Sequence, residues 1–282
     1  MTVLFDGIAS GMLLFIISVG LSVTLGLMNF INLAHGAFAM LGGYVCVTLL
    51  SKLGVPFLAA LPVVAVIGGL VGVIFERLLY RRLYKATHLD QVLFSIALVL
   101  MSVAGAQYLF GASQQPISLP SYLSGQLSIG GADIGKYRLF LIGVGAVIAA
   151  LLQSAVTYTR FGSQLRAAVD SPRVAGAMGI NVDMLFVLTF ALGTALAALG
   201  GALSIDTLGL DPEFAIKYIV YFLIVITVGG SGSIAGSLVA SLILGVVDVV
   251  GKYYVPEVGA FLIYTVMVVT LIIRPQGLFG RK

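Results

Sequence analysis

Long apolar runs, separated by short clusters of charges and turn residues, occupy nearly the whole chain. A helix needs about 20 mainly apolar residues to cross a bilayer. The runs are continuous rather than alternating, which favours membrane helices over the strands of a β-barrel. The pattern therefore predicts an all-α polytopic membrane protein with about eight or nine transmembrane helices. The predicted spans are residues 3–26, 34–51, 57–76, 91–111, 138–157, 184–205, 216–231, 234–250 and 258–273.

The lengths of these runs predict some irregular spans. The second, seventh and eighth runs are short, so we expect one or more of them to be broken or re-entrant. No segment remains for an extramembrane domain, and residues 1–282 are predicted to form a single transmembrane domain. Its longest loops are an external one at about 112–137 and a cytoplasmic one at about 158–183. In the external loop, Gly130-Gly131 between two short β-prone pieces predicts a hairpin.

Composition supports the membrane assignment and excludes several classes of chemistry. The chain is 60% hydrophobic and 9% charged, whereas soluble domains carry roughly 25% charged residues. With one cysteine and two histidines, we expect no metal site and no cofactor. The sequence lacks the G-x-x-x-x-G-K-[ST] motif of ATP-binding P-loops and the G-x-S-x-G motif of serine hydrolases. These absences argue against ATP binding through a P-loop and against serine-hydrolase chemistry.

Basic residues predict the orientation, because they are enriched in cytoplasmic loops. Ten of them fall on one side of the predicted spans and five on the other, so the N-terminus is predicted outside and the C-terminus inside. Residues 1–10 carry no basic residue, which favours a retained first span over a signal peptide. We attribute the net charge of +4 to this asymmetry and expect no nucleic-acid partner. The ten are Arg77, Arg81, Arg82, Lys85, Arg160, Arg166, Arg173, Arg274, Arg281 and Lys282.

The cytoplasmic loop contains closely spaced signals for a short helix at 172–178, preceded by another helical piece at 163–169. Asp170 or Ser171 can cap its start, Pro172 suits the first position, and Gly179 can supply the left-handed residue at its end. Helices this short are not stable alone in water, so something must pack on them.

The predicted 172–178 helix carries a small apolar face. Val174 and Met178 are four residues apart, with Ala175 and Ala177 beside them and with Arg166 and Arg173 as flanking charges. Such a face suits a groove on a cytoplasmic partner. The alternative is a helix that lies on the lipid headgroups, but those helices normally carry bulky Leu, Phe or Trp. We favour the partner.

Polar residues gather between the first two spans, in "NFINLAHG" at 29–36. Asn29, Asn32 and His35 can line a polar cavity, where broken helices are tolerated, and Gly36 would allow close packing beside it. Alternatively, Asn32 caps the second helix and a backbone carbonyl satisfies His35. Only Asp248 lies within an apolar run, near an outer end beside Lys252. The chain thus offers little to couple to a proton, and the energy for transport is predicted to come from elsewhere.

Four segments, in order, resemble a known family. "GLSVTLGLMNFINLAHGAFAMLGGYV" (20–45) is similar to the first signature of permeases of the high-affinity branched-chain amino acid ABC importers. "RAAVDSPRVAGAMGINV" (166–182) resembles their cytoplasmic coupling segment. "VGGSGSIAGS" (228–237) and "RPQGLFG" (274–280) are similar to their last two signatures. The resemblance covers essentially the whole chain. One departure is Asp183, where the family commonly has a basic residue.

The resemblance implies a set of partners. These are two cytoplasmic ABC ATPase subunits, a second permease subunit, a periplasmic solute-binding protein and the lipid of a bacterial inner membrane. The external hairpin would then either help to seat the binding protein or merely close the outer mouth. The rival hypothesis is a stand-alone secondary transporter or channel; an intramembrane enzyme is poorly supported, because no nucleophile with a base was found.

The resemblance also implies roles for the two clusters described above. The substrate path would include Asn29, Asn32, His35 and Gly36. Coupling to the ATPases would fall on the segment at 158–183, through Arg166, Pro172, Arg173, Val174, Ala175, Met178 and Gly179.

Cysteine labelling tests the predicted orientation. In a Cys46→Ala background, Lys282→Cys should be protected from an impermeant thiol reagent added to intact cells and should react after permeabilisation. Lys52→Cys, which follows the second span, should react in intact cells and serves as the control. Ready labelling of the Lys282→Cys variant in intact cells would refute this orientation.

Overall fold

In the computed structural model, the described residues are 2–28, 30, 32–84, 86–117, 119–129 and 132–280. They form helices joined mostly by short turns, and a π-helical turn at Glu76–Tyr80 continues α3 into α4. The helices are α1 (Thr2–Met28), α2 (His35–Ser51), α3 (Phe57–Phe75), α4 (Arg81–Leu83), α5 (His88–Phe110), α6 (Lys136–Tyr158), α7 (Arg160–Asp170), α8 (Pro172–Ala177), α9 (Val182–Leu208), α10 (Phe214–Gly229), α11 (Ile234–Tyr254) and α12 (Pro256–Ile273).

The predicted spans are confirmed as helices, and several of the helices are longer than the predicted spans. Within the described ranges, seven helical stretches are long and apolar enough to cross a membrane, and α2 and α10 are shorter apolar helices. The second and seventh spans are therefore short, as predicted. The eighth was wrongly predicted to be short, because α11 continues for 21 residues. At its charged end, Lys252 Nζ pairs with Asp248 Oδ2 at 2.7 Å, one helical turn away.

The start of α5 shows how local chemistry sets a helix end. The apolar run predicted a start at residue 91, but α5 begins at His88. The hydroxyl of Thr87 accepts a hydrogen bond from the Asp90 backbone N–H, and the Asp90 carboxylate accepts one from the Thr87 N–H. This reciprocal cap satisfies two backbone donors that the helix leaves unpaired, and it adds most of a turn before the apolar run.

Helix α9 lies at the centre of the bundle and packs against α1, α2 and α3. Its contact with α2 is close enough for the two backbones to meet. A Cβ atom on Gly42 would overlap the backbone of Ala198, and one on Gly201 would overlap the backbone of Ala39. The hydrophobic effect does not drive helix association inside lipid, so the helices associate through van der Waals packing. Small residues strengthen this packing because they let the two backbones approach closely. The second span is therefore held by its backbone fit to α9.

The loop that was predicted to be external contains the predicted hairpin. Strands β1 (Gln126–Ile129) and β2 (Ala132–Gly135) are antiparallel, and Leu127 lies opposite Ile134. The predicted turn residues, Gly130 and Gly131, fall outside the described residues. Earlier in this loop, the Gln115 N–H donates to the Leu210 carbonyl at 2.8 Å. The loop is thus attached to the turn between α9 and α10.

A matched pair of glycine variants tests the α2–α9 contact. Gly201→Ala should lower the midpoint of thermal unfolding in detergent, because overpacking against backbone costs about 1–3 kcal/mol. Gly105→Ala, on α5, is the control, since nothing lies within 4 Å of a Cβ at that position. Equal unfolding midpoints for the two variants would show that the close contact does not hold the bundle together.

Candidate transport and coupling sites

The polar segment between α1 and α2 is buried. Asn32 is 1% exposed, and its Oδ1 accepts hydrogen bonds from the Ala34 N–H at 3.1 Å and from the Tyr80 hydroxyl at 2.9 Å. His35 is fully buried at the start of α2. Its Nε2 lies 2.7 Å from the carbonyl oxygen of Ile17, near the middle of α1. Asn29 lies outside the described residues.

These contacts bear on the two alternatives for the polar segment. A backbone carbonyl does bind His35, as the packing alternative expected. Asn32 closes the turn before α2 rather than capping the helix, because the N-cap of α2 is Ala34 and no side chain caps it. Gly36 packs closely, since a Cβ there would lie 2.8 Å from the Ala215 carbonyl oxygen. The role of these residues in a substrate path stays a prediction.

Two atoms of the polar segment have spare hydrogen-bonding capacity. Asn32 Nδ2 and His35 Nδ1 are buried and have no hydrogen-bond partner among the described residues. A buried polar group left without a partner costs about 1–3 kcal/mol. A polar group that entered the bundle would therefore find two hydrogen-bonding partners here, the Asn32 amide N–H and the His35 Nδ1 atom.

Aromatic rings surround the segment on the side of the π-helical turn. The Tyr80 ring lies 5.2 Å from Phe30 and 4.6 Å from Phe190, and the Tyr84 ring lies 5.9 Å from Phe30 (centroid distances). Because Tyr80 also donates to Asn32, one side chain links the aromatic cluster to the polar segment. The cluster is Phe30, Tyr80, Tyr84, Phe94, Phe186 and Phe190.

A buried acidic residue near this cluster was not predicted from the sequence. Glu76, in the π-helical turn, is 1% exposed, and its Oε1 accepts a hydrogen bond from the Tyr84 hydroxyl at 2.8 Å. The Tyr84 hydroxyl is the donor, and burial together with this hydrogen bond raises the pKa of Tyr84. Glu76 stands between an apolar run and Arg77, and the sequence pattern placed it at a loop boundary. The prediction that only Asp248 lies within an apolar run was therefore wrong, since the membrane-length stretch Phe57–Leu83 contains Glu76 and the stretch Val182–Leu208 contains Asp206.

The coupling segment has the predicted start and stop signals. The Ser171 hydroxyl caps α8 by accepting from the Val174 N–H at 3.4 Å, and Pro172 is its first residue. Gly179 has φ +82°, and the N–H of Ile180 donates to the Ala175 carbonyl at 3.0 Å. This Schellman arrangement ends the helix as predicted. The preceding helix α7 is longer than the predicted 163–169, because Thr159 caps it at its N-terminus.

The outward face of α8 is smaller than predicted. Val174 is 59% and Met178 is 78% exposed, and Arg173 is exposed beside them. Ala175 was wrongly placed on this face. It is 3% exposed and packs with Ala168 of α7 and Leu185 of α9, because the next position along a helix is rotated by about 100°.

Arg166 was also wrongly placed as a charge flanking that face. Its guanidinium donates to the Val156 carbonyl at the end of α6, which holds the side chain against the bundle. There it lines a cavity of about 600 Å³ together with Gly26, Ser233 and Gln276. The residue that departs from the family pattern has a partner as well, since the Asp183 carboxylate pairs with Arg81 of α4.

The sequence matches the family described as "Branched-chain amino acid transport system / permease component" over residues 3–271. The chain belongs to this family. Its membership confirms the predicted resemblance and identifies the protein as a multi-pass membrane permease, a transport subunit rather than an enzyme.

Named relatives cover nearly the whole chain. It is 27% identical to the "High-affinity branched-chain amino acid transport system permease protein LivH" of Salmonella typhimurium, over 99% of this chain and 94% of the relative. It is 28% identical to the corresponding permease protein BraD of Pseudomonas aeruginosa, over 99% and 95%. A "Probable branched-chain amino acid transport permease protein LivH" of Methanocaldococcus jannaschii is 30% identical, over 95% and 89%. No solved structure matches.

Proposed function

We propose that this chain is the permease subunit of an ATP-driven ABC importer in the bacterial inner membrane. It would move branched-chain amino acids or related small amphipathic solutes inward. Family membership and the printed names of the relatives support the solute class. The structural observation that carries the proposal is the exposed apolar face of α8.

Helix α8 has the features expected of an element that docks into a partner. Its cap and Schellman stop fix a helix of six residues, which would not be stable alone. Ala175 fixes its inner side to α7 and α9, while Val174 and Met178 project from its outer side. Burying each of these two side chains in a groove would contribute roughly 1.5–3 kcal/mol. The ATPase subunits would provide that groove, with Arg173 at its rim.

The substrate path would pass the polar segment, where Asn29, Asn32, His35 and Gly36 lie. A polar solute that crosses the membrane needs polar groups along its path, and such groups are costly where they face lipid. Irregular backbone is tolerated at membrane depth only where it is buried in protein or lines a cavity. The unsatisfied Asn32 Nδ2 and His35 Nδ1 supply such groups. The segment would be closed in this conformation, because both side chains are buried.

The remaining partners follow from the proposed importer. A periplasmic solute-binding protein would deliver solute to the outer side, where the β1–β2 hairpin can help to seat it. A second permease subunit would complete the membrane-spanning pair. The buried Glu76 is the residue that a stand-alone secondary transporter would use for ion coupling. ATP-independent uptake by the reconstituted chain would favour that alternative.

Introducing a charge on the α8 face tests the proposal. Met178→Asp should insert in the membrane normally but lose the ATPase subunits on co-purification, because burying an unpaired carboxylate in a groove is costly. Gln164→Asp, which adds the same charge at an exposed position on α7, is the matched control and should retain them. Substrate-stimulated ATP hydrolysis should follow the same order. If Met178→Asp recovers the ATPases as well as the control does, α8 is not the coupling element.

A further inference from the structure

We infer that the π-helical turn Glu76–Tyr80, together with Arg81 and Tyr84, transmits movement of the coupling segment to the polar segment at Asn32. This inference rests on the proposed function. It assigns Arg81, Tyr84 and Tyr80 as positioning residues that act through other groups and do not bind the solute. The contacts that connect the two sites are continuous.

The first contact joins the coupling segment to α9. Ala175 of α8, Ala168 of α7 and Leu185 of α9 form one small buried cluster. A force on the outward face of α8 would therefore act on the first turns of α9. Asn181 fixes this end of α9, since its side chain accepts a hydrogen bond from the Met184 N–H at 3.0 Å.

The second contact joins that end of α9 to the segment that follows α3. Asp183 pairs with Arg81, and the Phe186 ring meets the Tyr84 ring at 5.6 Å with an angle of 83° between their planes. Both partners on α9 lie within its first five residues. Displacing this end of α9 would therefore displace Arg81 and Tyr84 as well.

The third contact reaches the polar segment. Tyr84 touches Phe30 edge-on, and its hydroxyl donates a hydrogen bond to Glu76 Oε1. Four residues before Tyr84, Tyr80 is fully buried against Phe30 and donates to Asn32 Oδ1 at 2.9 Å. Movement of the segment from Glu76 to Tyr84 would therefore alter the hydrogen bond between Tyr80 and Asn32. It would also shift the Tyr80 ring that packs beside the polar segment.

The π-helical turn provides a way for the segment to occupy two states. Its defining bond runs from the Arg81 N–H to the Glu76 carbonyl, one residue farther than in an α-helix. Conversion of this turn to α-helix would rotate the residues beyond it by roughly 100°, the angle per residue of an α-helix. Arg81 and Tyr84 would then turn relative to α3. Coupling between two sites requires such a two-state element in addition to a chain of contacts.

The Arg81–Asp183 ion pair is exposed, which allows its role in transmission to be distinguished from a role in folding stability. The two side chains are 59% and 68% exposed, and an exposed ion pair adds little to folding stability. Neutralising it should therefore leave the protein folded and assembled. An effect on coupling would then report transmission rather than loss of structure.

The experiment measures transported solute per ATP hydrolysed in the complete reconstituted importer. A leucine-loaded solute-binding protein is the probe. Asp183→Asn and Tyr84→Phe should each recover the ATPases at the wild-type level and keep basal ATP hydrolysis. Each should lower transport per ATP by at least about fivefold, the lower end of measured coupling between sites. Tyr158→Phe, a mostly exposed tyrosine outside the contact chain, is the control and should match the wild type.

Charge reversal supplies a test that does not depend on any single variant. Arg81→Asp alone should uncouple transport, and adding Asp183→Arg should restore most of it. Unchanged transport per ATP in Tyr84→Phe and Asp183→Asn would overturn the inference. So would loss of the ATPases in either variant, because those residues would then act in assembly. Failure of the wild-type chain to recover the ATPases would instead count against the proposed function.

Discussion

The close backbone contact between α9 and its neighbours is the constraint on which the rest of the structure depends. Gly42 and Gly201 let α2 and α9 approach until their backbones meet. This approach surrounds the irregular segment before α2 with protein, and only there is such a backbone tolerated at membrane depth. The hydrogen bond from His35 to the Ile17 carbonyl then joins α2 to the middle of α1. A looser bundle would leave Asn32 and His35 facing lipid.

The same central helix also connects the two sites. One part of α9 packs on α2 beside the polar segment, and its first turns support the coupling segment through Leu185. Phe190 lies between these regions and contacts Tyr80. Because a single helix touches both sites, a small displacement at the coupling segment can reach the polar segment without large rearrangement of the bundle. This arrangement suits the proposed importer, whose energy source would lie outside the membrane.

The sequence predicted the features that local residues determine, such as helix positions and helix ends. It did not predict the features that depend on packing between helices, such as the burial of particular side chains. Apolar runs located the helices because lipid imposes one requirement on every span, and Ser171, Pro172 and Gly179 fixed α8 through backbone chemistry. Ala175 is buried because α9 packs against that side of α8, and no local sequence pattern predicts the position of α9. The burial of Glu76 was missed for a related reason, since a carboxyl beside Arg77 is typical of a solvated loop. The length of α11 was underestimated because the helix continues past its apolar run, through the paired charges Asp248 and Lys252.

The central claim is that the polar segment before α2 is closed at rest and opens during transport. Ala34 is the position to probe, because it is fully buried between Asn32 and His35 and its replacement keeps both polar side chains. The measurement is the labelling of Ala34→Cys, in a Cys46→Ala background, by a small water-soluble thiol reagent in the assembled transporter. The account predicts little reaction at rest and rapid reaction during ATP-driven turnover with solute. The buried native Cys46 of the wild-type chain should stay unreactive in both conditions. Equal labelling of the Ala34→Cys variant at rest and during active transport would contradict the account.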